Sequence, residues 1–176
     1  MKKAIGFVIG LVMICLGVCQ IASVFVKPEL KEQKVLEQSD NIFIGDVTTD
    51  DSGVEFKVES VENVKKVGSG FYEITTENNF VVVQLSITNN NNEPYTLNAL
   101  NFLLTSNGNE YTHDNRVLLL NDDKYLYLGE LNPGLSETYA IVYETPTDTN
   151  TEEYKLKIKE NSLRKYDNRY ITLKTK

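Results

Sequence analysis

From residue 41 onward, apolar and polar residues alternate in short runs. Between Phe80 and Thr88, the residues Val81, Val83, Leu85 and Ile87 fall on one face and Gln84, Ser86 and Thr88 on the other. Val54, Phe56 and Val58 alternate with Glu55, Lys57 and Glu59. Tyr139, Ile141 and Tyr143 alternate with Thr138, Ala140 and Val142, and Tyr154, Leu156 and Ile158 with Lys155, Lys157 and Lys159. Period two is the repeat of a strand with one face against a core. Turn chemistry separates the runs. Asp50-Asp51-Ser52-Gly53 closes a hairpin after residues 41–48, and Asn89–Pro94 forms a polar loop. Asn107-Gly108 joins 102–105 to 110–112 as a two-residue hairpin. Pro133-Gly134 suits a type II turn, and Pro146 ends the strand before it. About seven or eight short strands spaced this way, with no helical pattern between them, predict an all-β sandwich rather than a parallel α/β sheet.

Two stretches do not alternate. Residues 116–128 (RVLLLNDDKYLYL) read either as a turn of helix across the end of the sandwich or as a strand broken at Asn121-Asp122-Asp123. The tail, 161–176, either adds an edge strand at Tyr170–Leu173 or trails along the surface.

The start of the chain follows a different pattern. Lys2 and Lys3 precede an uninterrupted apolar span from Ala4 to Val26, in which Gln20 is the one strongly polar residue. As a helix, its 23 residues cover about 34 Å, enough for a ~30 Å hydrocarbon core. The expectation is a signal-anchor that stays in the membrane as one N-terminal transmembrane helix. Two alternatives are a cleaved signal peptide ending at Ala22, and a lipoprotein signal in which Cys19 of Leu16-Gly17-Val18-Cys19 is acylated. Lys27–Asp40 (KPELKEQKVLEQSD) reads as a short helical stalk. The predicted organisation is an anchor at 1–26, a stalk at 27–40, the sandwich at 41–160 and the tail at 161–176.

Charge narrows the partners. Without Lys2 and Lys3 the chain carries 16 basic and 25 acidic residues, a net charge of −9. A surface that acidic repels phosphate backbones, which argues against nucleic acid as a partner. Cys15 and Cys19 both lie in the apolar span, so the sandwich is expected to fold without disulfides or cysteine-ligated metal.

The order of these motifs resembles a known family. The run Gly53–Glu62 (GVEFKVESVE) is followed by Phe80–Asn90 (FVVVQLSITNN) and by the Asn107-Gly108 hairpin with Tyr111. Leu131–Thr138 (LNPGLSET), Ile141–Pro146 (IVYETP) and Tyr154–Ile158 (YKLKI) complete the series. Over about residues 41–159 this is similar to the telokin-like, immunoprotective-extracellular-type immunoglobulin-like domain of Gram-positive secreted and membrane-anchored proteins. The resemblance implies an immunoglobulin-like antiparallel β-sandwich, expected here to be preceded by the one transmembrane helix read from Ala4–Val26, and a role in surface binding; many members of the family are lipoproteins or follow a cleaved signal. It implies no catalytic residues.

Candidate chemistry is sparse. His113 is the single histidine and is expected on an exposed loop, which disfavours multi-histidine metal sites and a serine triad. Asp46, Asp50 and Asp51, and separately Asp122 and Asp123, read as solvated turns, with a weak calcium site as the alternative. No metal or other cofactor is expected. Tyr111, Tyr125 and Tyr127, near the irregular stretch, read either as core and edge packing or, since tyrosine is enriched at binding surfaces, as the candidate partner-binding patch. The expected function is a non-catalytic, membrane-anchored, extracytoplasmic binding module of the cell envelope with a protein or envelope partner. The alternative is a structural subunit of an envelope export, transfer or division complex, assembled partly through Gly6-x-x-x-Gly10 in the anchor.

Overall fold

The computed structural model describes residues 42–120, 122–149, 151–159 and 168–174. The expectations for the anchor, the stalk and Cys19 lie outside the described residues. The strands are β1 (Ile42–Phe43), β2 (Val47–Thr49), β3 (Val54–Ser69), β4 (Tyr72–Asn89), β5 (Tyr95–Asn98), β6 (Phe102–Ser106), β7 (Asn109–Tyr111), β8 (Leu128–Leu131), β9 (Ser136–Thr145), β10 (Lys155–Lys159) and β11 (Asn168–Thr172). They form a five-stranded sheet in the order β1-β11-β10-β6-β7 and a four-stranded sheet in the order β2-β3-β4-β9. A two-stranded ribbon, β5-β8, completes the β-sandwich.

The two large sheets enclose the main core. The alternating residues predicted to point inward do so: Phe56, Val83, Leu85, Ile141, Leu156 and Ile158 are all buried there. Each such side chain contributes roughly 1.5–3 kcal/mol on burial. Phe56 packs edge-on against Phe102 and Tyr95, at ring separations of 6.0 and 6.1 Å. Buried hydroxyls are satisfied: Tyr143 Oη donates to the Phe102 carbonyl at 3.2 Å, and Tyr154 Oη lies 3.1 Å from Thr145 Oγ1. Buried Asn89 organises the loop after β4, its Nδ2 donating to the Glu93 and Leu131 carbonyls while its Oδ1 accepts from Asn91 N.

The predicted turns form as their chemistry requires. Asn107 and Gly108 both have positive φ, 51° and 77°, and place Ser106 opposite Asn109. Leu135 N donates to the Asn132 carbonyl across Pro133-Gly134, with Gly134 at φ 75°. Asp50 Oδ1 accepts from Ser52 N, Ser52 Oγ and Val54 N, which closes the β2–β3 turn.

Four expectations need correction. First, β3 and β4 are not short: they form one long hairpin whose far part, residues 65–78, makes an arm beyond the pairing of β4 with β9. A bulge at Glu59 inserts one residue in β3 between Val58 and Ser60, and opposite Lys65 the stretch 76–79 of β4 loops out of the ladder. Val58 and Val61 pack toward the main core and Val64 and Val67 toward the outer face, so a spacing of three spread over both faces hides the strand from a period-two reading. Second, the tail strand β11 is not at an edge. It lies between β10 and β1, and its pairing with β1 is parallel, so the sandwich is not purely antiparallel. β1 and β2 are separated at Gly45, where the chain passes from one sheet to the other. Third, residues 115–120 form a 3-10 helix that lies on the outer face of the four-stranded sheet rather than across the end of the sandwich. Fourth, His113 is buried, at 6% exposure.

Candidate functional site

The outer face of the four-stranded sheet is apolar where an ordinary sandwich face would be polar. Phe80 and Val82 of β4 and Ala140 and Val142 of β9 form a second core with Val67, Val117 and Leu120. The segment from Asp114 to Leu126 is strapped over this face. It is held along the edge of β9 by Asp114 N to Val142 O (2.7 Å), Leu126 N to Ala140 O (2.9 Å) and Ala140 N to Lys124 O (2.7 Å).

An ionic staple holds the strap from the other side. Arg116 lies with its guanidinium 5.2 Å from the centre of the Phe80 ring. It donates from Nε and Nη2 to Asp114 at 2.5–3.0 Å and from Nη2 to Glu144 at 2.6 Å. Glu144 also accepts from Thr76 Oγ1 and from Asn78 Nδ2. These two residues sit in the stretch of β4 that loops out between Thr75 and Phe80. Lys65 donates to the carbonyls of Glu77 and Asn78 in the same stretch, at 3.1 and 2.6 Å. Hydrogen bonds from Thr76 hold the Glu144 carboxyl below its ordinary pKa against partial burial. Burial would raise Asp114, but hydrogen bonds from Arg116 outweigh it and leave that carboxyl lowered as well.

Where the strap turns toward β8, it borders an open cleft of about 380 Å³. That volume lies within the range of small-ligand and peptide-side-chain sites. Leu97, Leu118 and Leu128 supply apolar walls, and Tyr125, Tyr127 and Tyr139 supply aromatic ones. The alternation Tyr125–Leu126–Tyr127 explains the placement of the first two tyrosines: Leu126 enters the main core, Tyr125 packs half-buried against the second core and Tyr127 is exposed. Tyr127 is further pinned by its carbonyl, which accepts from Ala99 N at 2.8 Å. Asp122, Asp123 and Glu130 also line the cleft. Lys124 pairs with Asp122 at 2.8 Å and lies 4.9 Å from the centre of the Tyr125 ring.

Of the three tyrosines singled out in the sequence, the structure brings Tyr125 and Tyr127 into this cleft. Tyr111 is elsewhere, half-buried against the main core on β7. Tyr139, Leu118, Leu128 and Glu130 were not singled out. The runs Phe80–Val83 and Ala140–Tyr143 carried the missed signal. Unbroken burial along a strand means that both faces of the sheet are covered.

His113 stands behind the cleft wall. Its ring meets Tyr127 edge-on at 5.8 Å, and neither ring nitrogen has a hydrogen-bond partner. Burial pushes its pKa below the ordinary histidine value, and the nearby Asn115 side chain and Asp114 carboxylate oppose that shift. Among the described residues no three His, Cys, Asp or Glu side chains converge in a way that could hold a metal. Asp50 is committed to its turn, and Asp46 accepts from Phe43 N. No helix among the described residues is long and apolar enough to cross a membrane.

Fold and site together define a β-sandwich carrying a strapped outer face and a tyrosine-lined cleft. Residues 42–168 match the family described as domain of unknown function DUF4352, and the chain belongs to that family. Solved structures share the fold. The yjhA protein of Bacillus subtilis superposes with a TM-score of 0.59 at 17% identity, over 76% of this chain and 99% of that one. An uncharacterized beta-sandwich protein of Clostridium difficile gives 0.51 at 15% identity, covering 76% and 95%. A putative lipoprotein of Bacillus subtilis, ycdA, gives 0.51 at 13% identity, covering 71% of this chain and 37% of that one. None of the curated proteins compared matches the chain.

Proposed function

We propose that this chain is a non-catalytic binding module of the bacterial cell envelope, tethered by residues 4–26 with its immunoglobulin-like sandwich outside the cytoplasm. The observation that carries the binding role is the cleft under Tyr125, Tyr127 and Tyr139. It is open and aromatic, properties that suit recognition better than chemistry. The tether rests on the length of the apolar span from Ala4 to Val26. The putative lipoprotein ycdA, of similar fold, is in keeping with an envelope location. Under this reading Cys19 is an apolar residue of the span rather than an acylated one.

Protease shaving of intact cells, with mass spectrometry of the remaining N-terminus, tests the proposal. Release of peptides from 42–174 with an unmodified, uncleaved span left in the membrane is the expected result. Full protection of the domain in intact cells, with the chain recovered from cytosol, would overturn it. A diacylated Cys19 at the new N-terminus would replace the transmembrane tether with a lipid one.

A further inference from the structure

The cleft combines two features that point to one class of occupant. Its walls combine leucine and tyrosine side chains with acidic ones, and its carboxylates outnumber its cations. Asp122 is neutralised by Lys124, whereas among the described residues neither Asp123 nor Glu130 pairs with a basic side chain. Beside the cleft, the Lys124 ammonium lies 4.9 Å from the centre of the Tyr125 ring and 2.8 Å from Asp122, a pairing of cation, aromatic ring and carboxylate. A cation held over a tyrosine face beside a carboxylate is a favourable pair, stronger as water is excluded. Exposed Leu118 and Leu128 extend the apolar surface at the opening, beyond what a small amine could cover.

We infer that the cleft binds an extended, basic peptide segment of a partner protein, with an arginine or lysine against Tyr125 and Tyr127 and apolar side chains on Leu118 and Leu128. The inference deepens the binding role proposed above and rests on it. Charge complementarity selects the occupant: an acidic peptide would meet Asp123 and Glu130, and a neutral apolar one would leave both carboxylates desolvated and unpaired.

The test uses the full-length chain in a neutral detergent and three fluorescein-labelled octapeptides of alternating residues: Arg/Leu, Gln/Leu and Glu/Leu. The Arg/Leu peptide should bind, and its affinity should fall with added salt. Asp123→Asn with Glu130→Gln should weaken it about tenfold, as should Tyr125→Leu. Lys124→Met should tighten it by about threefold, because it frees Asp122, a carboxylate of the cleft wall, to pair with the peptide. Asp148→Asn with Glu62→Gln removes the same charge away from the cleft and should leave binding nearly unchanged. The carboxylate pair is exposed, so those variants fold whether or not Tyr125→Leu does. Equal loss in both charge-matched double variants would reduce the effect to general polyanion attraction and overturn the inference. So would equal binding of the Gln/Leu peptide. Choline or spermidine competing at the same concentration as the Arg/Leu peptide would replace the peptide with a small cation. Failure here with successful shaving would leave the envelope location standing and remove only the occupant.

Discussion

The inner face of the four-stranded sheet is closed by another sheet, whereas its outer face is closed by one 3-10 helix and an extended strap. The inner core is built from regular alternation on strands far apart in sequence. The outer core depends on seven buried residues and one ionic staple. Local stability follows such differences: elements with few buried contacts open first, and binding sites are drawn from them. The cleft lies on the strap side, so the proposed binding role falls on the closure with fewer buried residues.

Four substitutions and one titration sharpen the comparison. Phe56→Ala should cost about 3–5 kcal/mol, because the ring is wholly buried between Phe102 and Tyr95. Denaturant unfolding should show this as a single cooperative loss. Leu120→Ala should cost about 2–3 kcal/mol. Hydrogen exchange should place the change in residues 114–126 while amides of β3 and β4 inside the main core stay protected. Equal acceleration in both regions would merge the two closures into one unit.

Gly68→Ala comes next, at about 1–2 kcal/mol. Gly68 has φ 87°, and a methyl there would sit 2.0 Å from the Tyr72 carbonyl oxygen and 2.6 Å from Leu120 Cδ2. The substitution should disturb the arm tip and the strap together, visible as faster exchange at Tyr72 and Leu120. Arg116→Ala should cost about 1 kcal/mol, since its ion pairs are partly screened by solvent. Its mark should be looser docking of the strap, seen as a changed near-ultraviolet signal from Tyr125 and Tyr127.

The smallest effect is a slope with pH. Unfolded histidine titrates near pH ~6.5, and burial lowers the value in folded His113. The unfolded chain therefore binds more protons in that range, so stability should be full above about pH 6.5 and decline as pH falls below it. The lowered carboxylates Asp114 and Glu144 act in a separate window, nearer pH ~4. His113→Leu should flatten the upper part of the profile between pH 7.5 and 5.5 and leave the lower part. An unchanged upper slope would show that His113 does not titrate differently on folding.

The inner core was legible residue by residue because period-two alternation maps directly onto one face of a strand. Val81, Val83, Leu85 and Ile87 needed no tertiary information, and neither did the Asn107-Gly108 and Pro133-Gly134 turns. The arm was not legible, because the bulge at Glu59 and the loop-out of residues 76–79 break the period and Val58, Val61, Val64 and Val67 divide between the two faces. The burial of His113 was also hidden. Its neighbours in sequence are polar, and what covers it comes from β9 and Tyr127.

The same distinction holds for the cleft. Tyr125 and Tyr127 could be picked out from their own segment, but Tyr139, Leu97 and Glu130 join them only through the docking of the strap against β9 and the β5–β8 ribbon. The sequence alone determined the strands with one polar and one apolar face, their turns and the acidic balance of the chain, since these depend on residues near one another in the chain. Tertiary structure decided which sheet each strand joins, the second core and the composition of the cleft. Those depend on long-range pairings and on a segment whose residues carry no period of their own.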